Sequence, residues 1–234
     1  MSLPEIASRE GWLAARKELL AREKELTRQR DRLVADRRRL PMVKVEKEYV
    51  FEGPEGKRTL LELFEGRRQL VVVHFMFAPD WEDGCPSCTA SADEMSPGLL
   101  AHLHARDTTL VYVSRAPLEK LEEDRRRHGW TFRWYSSFGT DFNYDFHVTL
   151  DPDAAPVEYN FRAGAEPGEW PGRSSFLQVG DEIFHTYSVY ARGLESMGGS
   201  YYLLDETALG RQEEWEEPKG RVDAARAAVP DFAT

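Results

Sequence analysis

The chain has 234 residues, of which 41% are hydrophobic and 12% aromatic, enough for a substantial core in one domain with appendages. No apolar run approaches the length of a membrane span and no charged-then-apolar signal opens the chain, so a cytoplasmic protein with no membrane partner is expected. A net charge of −10 argues against nucleic acid as a partner.

Leu3 to Leu40 reads as one long helix, dominated by Ala, Leu, Glu, Lys and Arg. Residues 1–40 hold eleven Lys or Arg against seven Asp or Glu, an excess of four positive charges that leaves −14 for the remainder. Trp12, Leu19, Leu26, Leu33 and Leu40 recur every seven residues, but their heptad companions are mostly charged or Gln. That stripe is too narrow for an independent coiled coil. Such a helix gains most of its stability by packing, so it is expected to dock on an acidic surface and to form a homodimer. Pro41 ends it.

Lys44 to Phe51 reads as a strand, followed by a turn at Gly53-Pro54-Glu55-Gly56 and a short helical turn over Thr59–Phe64. Leu70 to Phe77 is an apolar run rich in β-branched and aromatic residues and reads as a buried strand. Pro79 and Gly84 mark a turn before Cys85-Pro86-Ser87-Cys88. A helix is expected from Cys88 or Ser91 to Ala105, bent near Pro97-Gly98. Thr108 to Ser114 is another apolar strand, Pro117 to His128 a helix closed by Gly129, and Trp130 to Tyr135 a strand. This alternation indicates an α/β fold with a mainly parallel sheet and covering helices. Ser136 to Gly172 lacks clear periodicity and is either functional or misread. Ser175–Val179 and Ile183–Tyr190 look like a hairpin joined at Gly180-Asp181.

Cys85 and Cys88 are the only cysteines. A helix N-terminus favours thiolate over thiol, and the spacing lets two sulfurs meet within one turn. In a reducing compartment a Cys-x-x-Cys is more often catalytic or metal-binding than a static staple. A dithiol/disulfide site is therefore expected, against the blander reading of two inert buried cysteines. The six histidines show no ligand pair with zinc-site spacing, so neither a metal nor a cofactor is expected. Asp80, Glu82 and Asp83 oppose a thiolate at Cys85, and nothing basic lies between Pro79 and Met95. Any activating cation must come from elsewhere in the fold. His74 either faces the cysteine side or is a hydrogen-bonded core histidine. Asp141, Asn143, Tyr144 and Asp145 either line a cleft beside the dithiol, with Trp81, or belong to a hydrogen-bonded structural loop.

A dithiol on a strand-to-helix turn, followed by strand, helix, strand and hairpin, resembles the thioredoxin fold. At finer grain the chain resembles a bacterial thioredoxin-like family, domain of unknown function 899, through KELTRQRDRLVADRRRLP, YVFEGPEG, VVHFMFAPDWEDGCPSC, VSRAPL, GWTFRWYSSFGTDFNYDF and FHTYSVYARGLE. The resemblance implies a thioredoxin-like domain over residues 43–191, a central mixed sheet flanked by helices. An N-terminal helical extension, 1–42, and a C-terminal extension, 192–234, complete it. It further implies a thiol–disulfide oxidoreductase acting on a disulfide substrate with a separate reductant, Cys85 being the nucleophile and Cys88 the resolving thiol.

Two positions depart from thioredoxins. Gly84 replaces the tryptophan that adjoins their first cysteine. Their cis proline before the hairpin strand has no clear match, since Gly172, Arg173 and Ser174 follow Pro171. A peroxiredoxin-like reading accounts for other features: Thr59–Phe64 before the strand, Pro79 shortly before Cys85, and Arg173 placed like the arginine that activates a peroxide-reactive cysteine. The alternatives are therefore a thiol peroxidase using Cys85 and a peroxide substrate, and a non-catalytic thioredoxin-fold binding module.

Overall fold

The computed structural model describes residues 3–197 and 199–225, which divide into two compact units. One unit joins the described N-terminal residues up to Pro41 to residues 204–225. It contains α1, Arg9–Arg37. Ser8 caps this helix by accepting the Gly11 N–H at 3.1 Å, which starts it later than Leu3. Ion pairs run along its surface, Arg16–Glu23 at 2.9 Å and Arg28–Glu25 at 3.1 Å. No residue of α1 is buried.

The other unit spans Met42–Leu203. In chain order it contains β1 (Val43–Lys44), β2 (Val50–Gly53), β3 (Gly56–Thr59), a 3-10 turn at Glu62–Phe64 and β4 (Gln69–His74). Next come α2 (Pro86–Asp93), α3 (Pro97–His104), β5 (Thr108–Ser114), α4 (Leu118–His128) and β6 (Arg133–Ser136). Then follow α5 (Phe142–Asp145), β7 (Thr149–Leu150), β8 (Glu158–Tyr159), β9 (Arg162–Ala163) and β10 (Gly168–Glu169). The unit closes with β11 (Gly172–Val179), β12 (Glu182–Tyr190), a 3-10 segment at Ala191–Met197 and α6 (Ser200–Leu204).

The main sheet has the order β1-β12-β11-β4-β5-β6-β2-β3. β4, β5 and β6 are parallel, whereas β11 and β12 form an antiparallel hairpin on the other side of β4. Parallel strands joined through helices, with a hairpin beside the first, make this core thioredoxin-like. Lys44 to Phe51 is not one strand. β1 pairs with β12 near one edge and β2 with β6 near the other, so the chain crosses the sheet between them. Lys47 anchors the crossing by donating to Asp141 and Asp145, each at 2.7 Å. The aperiodic stretch from Ser136 to Gly172 holds α5 and four two-residue strands, each too short to show a period.

Side chains alternate along β4. Leu70 and Val72 enter a layer with Phe51, Phe64, Phe142, Phe146 and Phe176, on the α5 face. Val73, with Phe75 and Phe77 just beyond the strand, enters the opposite layer with Ala92 of α2, Leu121 of α4, Tyr112, Phe132 and Trp134.

Candidate active site

The dithiol turn is held by contacts to three elements. Phe75 and Phe77 continue β4 past its last ladder pair, bonding Val113 O at 3.0 Å and the Ala116 N–H at 2.8 Å. The chain then bulges outward and returns, and Cys85 N–H donates to Met76 O at 2.9 Å. Lys120 of α4 clamps the bulge by donating to Pro79 O at 2.9 Å and Trp81 O at 2.6 Å. Gly84 is sterically required, because a Cβ there would stand 2.6 Å from the Phe75 ring. No tryptophan fits that position. α2 begins with Cys85 as N-cap and Pro86 in its first turn, which sets the helix start before Cys88.

The two sulfurs are free thiols of opposite character. Cys85 is lowered to about 5, chiefly by the hydrogen bond from the Cys88 thiol. Burial opposes the shift; the Ser87 hydroxyl, 3.1 Å from Cys85 Sγ, and the backbone N–H groups of Cys88 and Ser87 assist it. The sulfur makes no tight capping bond, so those N–H groups act at longer range. Cys88 is held well above the ordinary thiol value, first by its bond to Cys85 and then by burial. Cys85 is thus the thiolate of the pair and Cys88 the thiol.

Of the nearby acids, Asp83 pairs with Arg127 at 2.7 Å. Arg173 of β11 stands in register with Val73 and therefore shares the α2 face. Its guanidinium donates to Ser196 Oγ at 3.2 Å. Trp81 packs against the α2-side core.

The other cleft candidates make contacts of their own. His74 is buried on the α5 face, against the rings of Phe142 and Phe146 and bonded to Ser174 at 2.9 Å. Asp141 is paired with Lys47, while Asn143 is buried and accepts from Ser137 at 2.7 Å. Tyr144 lies under the Arg115 guanidinium at 5.0 Å. Arg115 directly follows β5 and pairs at 2.8 Å with the buried Glu169, whose other oxygen accepts from Thr149 at 2.9 Å. Burial raises the Glu169 pKa, and Arg115 pulls it back. Sequence reading missed Ser87, Lys120 and the Arg115–Glu169 pair. Only Ser87, inside the Cys-x-x-Cys, carried a local signal.

A cleft of about 520 Å³ opens between the Cys85 turn and α4, lined by Asp83, Thr89, Asp93, Asp124, Arg127 and His128; neither sulfur lines it. Among the described residues no group of three or more His, Cys, Asp or Glu could hold a metal ion, and no helix is long and apolar enough to cross a membrane.

A family model described as a bacterial protein of unknown function, DUF899, matches residues 1–227. No curated protein matches the chain. Among solved structures, the chain is similar to the bacterioferritin comigratory protein of Xanthomonas campestris, described for alkyl peroxide reduction. That match has 15% identity, covers 60% of this chain and 79% of that one, and has a TM-score of 0.42. It is also similar to the peroxidoxin BcpB of Mycobacterium tuberculosis, with 15% identity, 64% and 85% coverage and a TM-score of 0.45. A third similar structure is a cysteine-to-serine mutant of the PrxQ of Xylella fastidiosa, with 14% identity, 64% and 85% coverage and a TM-score of 0.43.

Proposed function

The chain belongs to the bacterial family of unknown function DUF899, and from that premise we propose that it is a thiol–disulfide oxidoreductase with Cys85 as nucleophile and Cys88 as resolving thiol. One observation carries the reading: within a single turn, Cys85 is held at about 5 and Cys88 well above the ordinary thiol value. The Cys85 thiolate attacks one sulfur of a substrate disulfide. The S–S bond breaks, a mixed disulfide forms, and the departing thiolate takes a proton from water. Cys88 then gives its proton to solvent and attacks Cys85 Sγ, and the second substrate thiolate leaves and is protonated. Two electrons have passed to the substrate, and a Cys85–Cys88 disulfide remains for a cellular dithiol to reduce. A reducing cytoplasm supplies such dithiols.

Reduced protein mixed with bis(2-hydroxyethyl) disulfide is expected to release two substrate thiols per chain. Cys85→Ser is expected to release none, and Cys88→Ser to stop at a mixed disulfide visible by mass. A parent protein that releases no thiol sinks the proposal.

A peroxidase reading draws on the same thiolate and on Arg173 on the same face. There Cys85 attacks the O–O bond to give a sulfenic acid and an alcohol, and Cys88 displaces water to form the same disulfide. A faster reaction with cumene hydroperoxide than with the disulfide favours that reading. Rates with both substrates that survive Cys85→Ser unchanged favour the binding module instead.

We also propose that α1 is an assembly element. Trp12, Leu19, Leu26 and Leu33 are all exposed along it, a stripe that a second copy of the chain would cover. Light scattering is expected to report a dimer, and a monomer at high concentration and low salt removes this proposal.

A further inference from the structure

Two tyrosines, Tyr112 and Tyr159, stand within electrostatic reach of Cys88. The Tyr159 hydroxyl is fully used: it donates to Pro171 O at 2.8 Å and accepts the Ala191 N–H at 2.9 Å. Tyr112 differs. It is 1% exposed, and its ring stacks on Phe132 with centroids 3.9 Å apart. Its hydroxyl is buried with no hydrogen-bond partner. A buried hydroxyl that forgoes its bond is costly, and such groups are few in folded proteins.

Sheet register shows where this phenol stands. Tyr112 lies opposite Val73 on β4, and Val73 opposite Arg173 on β11, so the three share one face. Cys88 packs onto the same layer from α2. In the resting dithiol the Cys88 proton is engaged with the Cys85 thiolate, so the Cys88 sulfur carries no charge to attract a donor. That changes once Cys85 is tied up in a mixed disulfide. Cys88 must then lose its proton inside an apolar layer, where an unaccompanied thiolate is disfavoured.

We propose that Tyr112 is the hydrogen-bond donor that stabilises the Cys88 thiolate in the resolving step. The proposal rests on the oxidoreductase reading and adds a residue to its second half-reaction. The phenol keeps its proton throughout; the Cys88 proton goes to solvent, the new bond joins Cys88 Sγ to Cys85 Sγ, and the substrate thiolate leaves. Burial keeps the phenol protonated, while the Arg173 charge acts on it in the opposite sense and so strengthens it as a donor.

The test separates the two half-reactions. In a Cys85→Ser background, thiolate absorbance against pH reports Cys88 alone, and Tyr112→Phe is expected to raise its midpoint by about one unit. With Cys85 restored, stopped-flow release of the second thiol is expected to slow about tenfold, and release of the first to stay unchanged. Tyr159→Phe, which breaks two structural bonds, is expected to lower the melting temperature without moving the Cys88 midpoint. An unchanged Cys88 midpoint and an unchanged second release in folded Tyr112→Phe overturn the proposal. If the protein reduces no disulfide, the oxidoreductase reading fails, and the Cys88 titration still decides the role of Tyr112.

Discussion

The Phe75 ring occupies the space that a side chain on Gly84 would need, its nearest carbon 2.6 Å from the Cβ position. Phe75 cannot yield, because its ring packs against Trp134 at 4.7 Å and Trp130 at 6.0 Å. Gly84→Ala is therefore expected to cost ~1–3 kcal/mol through overpacking and to displace Cys85 from the end of β4. Urea unfolding together with the iodoacetamide rate at Cys85 checks both effects. An alanine variant with parent stability and reactivity would mean that the turn adapts freely.

The thiolate at Cys85 sets a second expectation. Alkylation should rise with pH to a plateau, with a midpoint at about 5. Cys88→Ala removes the principal hydrogen bond and should move the midpoint upward most, and Ser87→Ala less. Because folding lowers this acid from its ordinary 9.0, the stability it contributes is present above pH 9 and lost as pH falls towards 5. A stabilised thiolate also favours the dithiol over the disulfide, so Ser87→Ala should make the pair harder to reduce in glutathione buffers. A parent midpoint near 8.5 points to an inert site.

Arg115→Met would leave the buried Glu169 carboxylate without its ion pair, an arrangement that typically costs ~3–5 kcal/mol. Burial raises the Glu169 pKa, so the folded state favours its protonated form and loses stability as pH rises through the carboxylate range. The variant should thus be destabilised more at pH 8 than at pH 5. Equal losses at the two values would assign the cost to packing of Arg115 on Tyr144.

On the α5 face, four polar side chains run in series: His74 Nε2, Ser174 Oγ, Ser188 Oγ and His185 Nε2, with separations of 2.9, 2.9 and 2.8 Å. Three bonds need three protons, and the hydroxyls supply two. One histidine must donate through Nε2 and the other accept. The Tyr187 backbone stabilises protonated His185. We expect His185 Nε2 to accept and His74 Nε2–H to donate. The unpaired His74 Nδ1 is then a lone pair rather than a stranded N–H. Burial lowers His74 to about 3. Its contribution to stability is complete above the ordinary 6.5 and is lost as pH falls towards 3. Nitrogen NMR should find the Nε2–H tautomer and no His74 titration above pH 5. A ring that charges near pH 6 would contradict both the burial and the bond direction.

How much of this was legible in the sequence varied with range. The β4 run and the dithiol after it stand out because a long apolar strand and a Cys-x-x-Cys are local signals. Proline in the first turn could have moved the start of α2 from Cys88 back to Pro86. The face of His74 was ambiguous because alternation fixes relative sides only, and Phe142, 68 positions later, decides which side is which. The split of Lys44–Phe51 was hidden for a similar reason, since its partners lie on β12 and β6. Lys120 reaches the dithiol turn only through the packing of α4.

The place of β4 in the sheet has a consequence for synthesis. Its parallel neighbour β5 follows within a few dozen residues, but the strand on its other side, β11, begins only at Gly172. At translation rates of about 5–20 residues per second, the central strand of the finished sheet spends roughly 5–20 s as an open edge. For that interval Leu70, Val72 and Val73 belong to a hydrophobic strand with unpaired backbone groups, a template for another chain. The nascent protein is thus most exposed to aggregation before its last hairpin emerges, and chaperone occupancy should concentrate in that window.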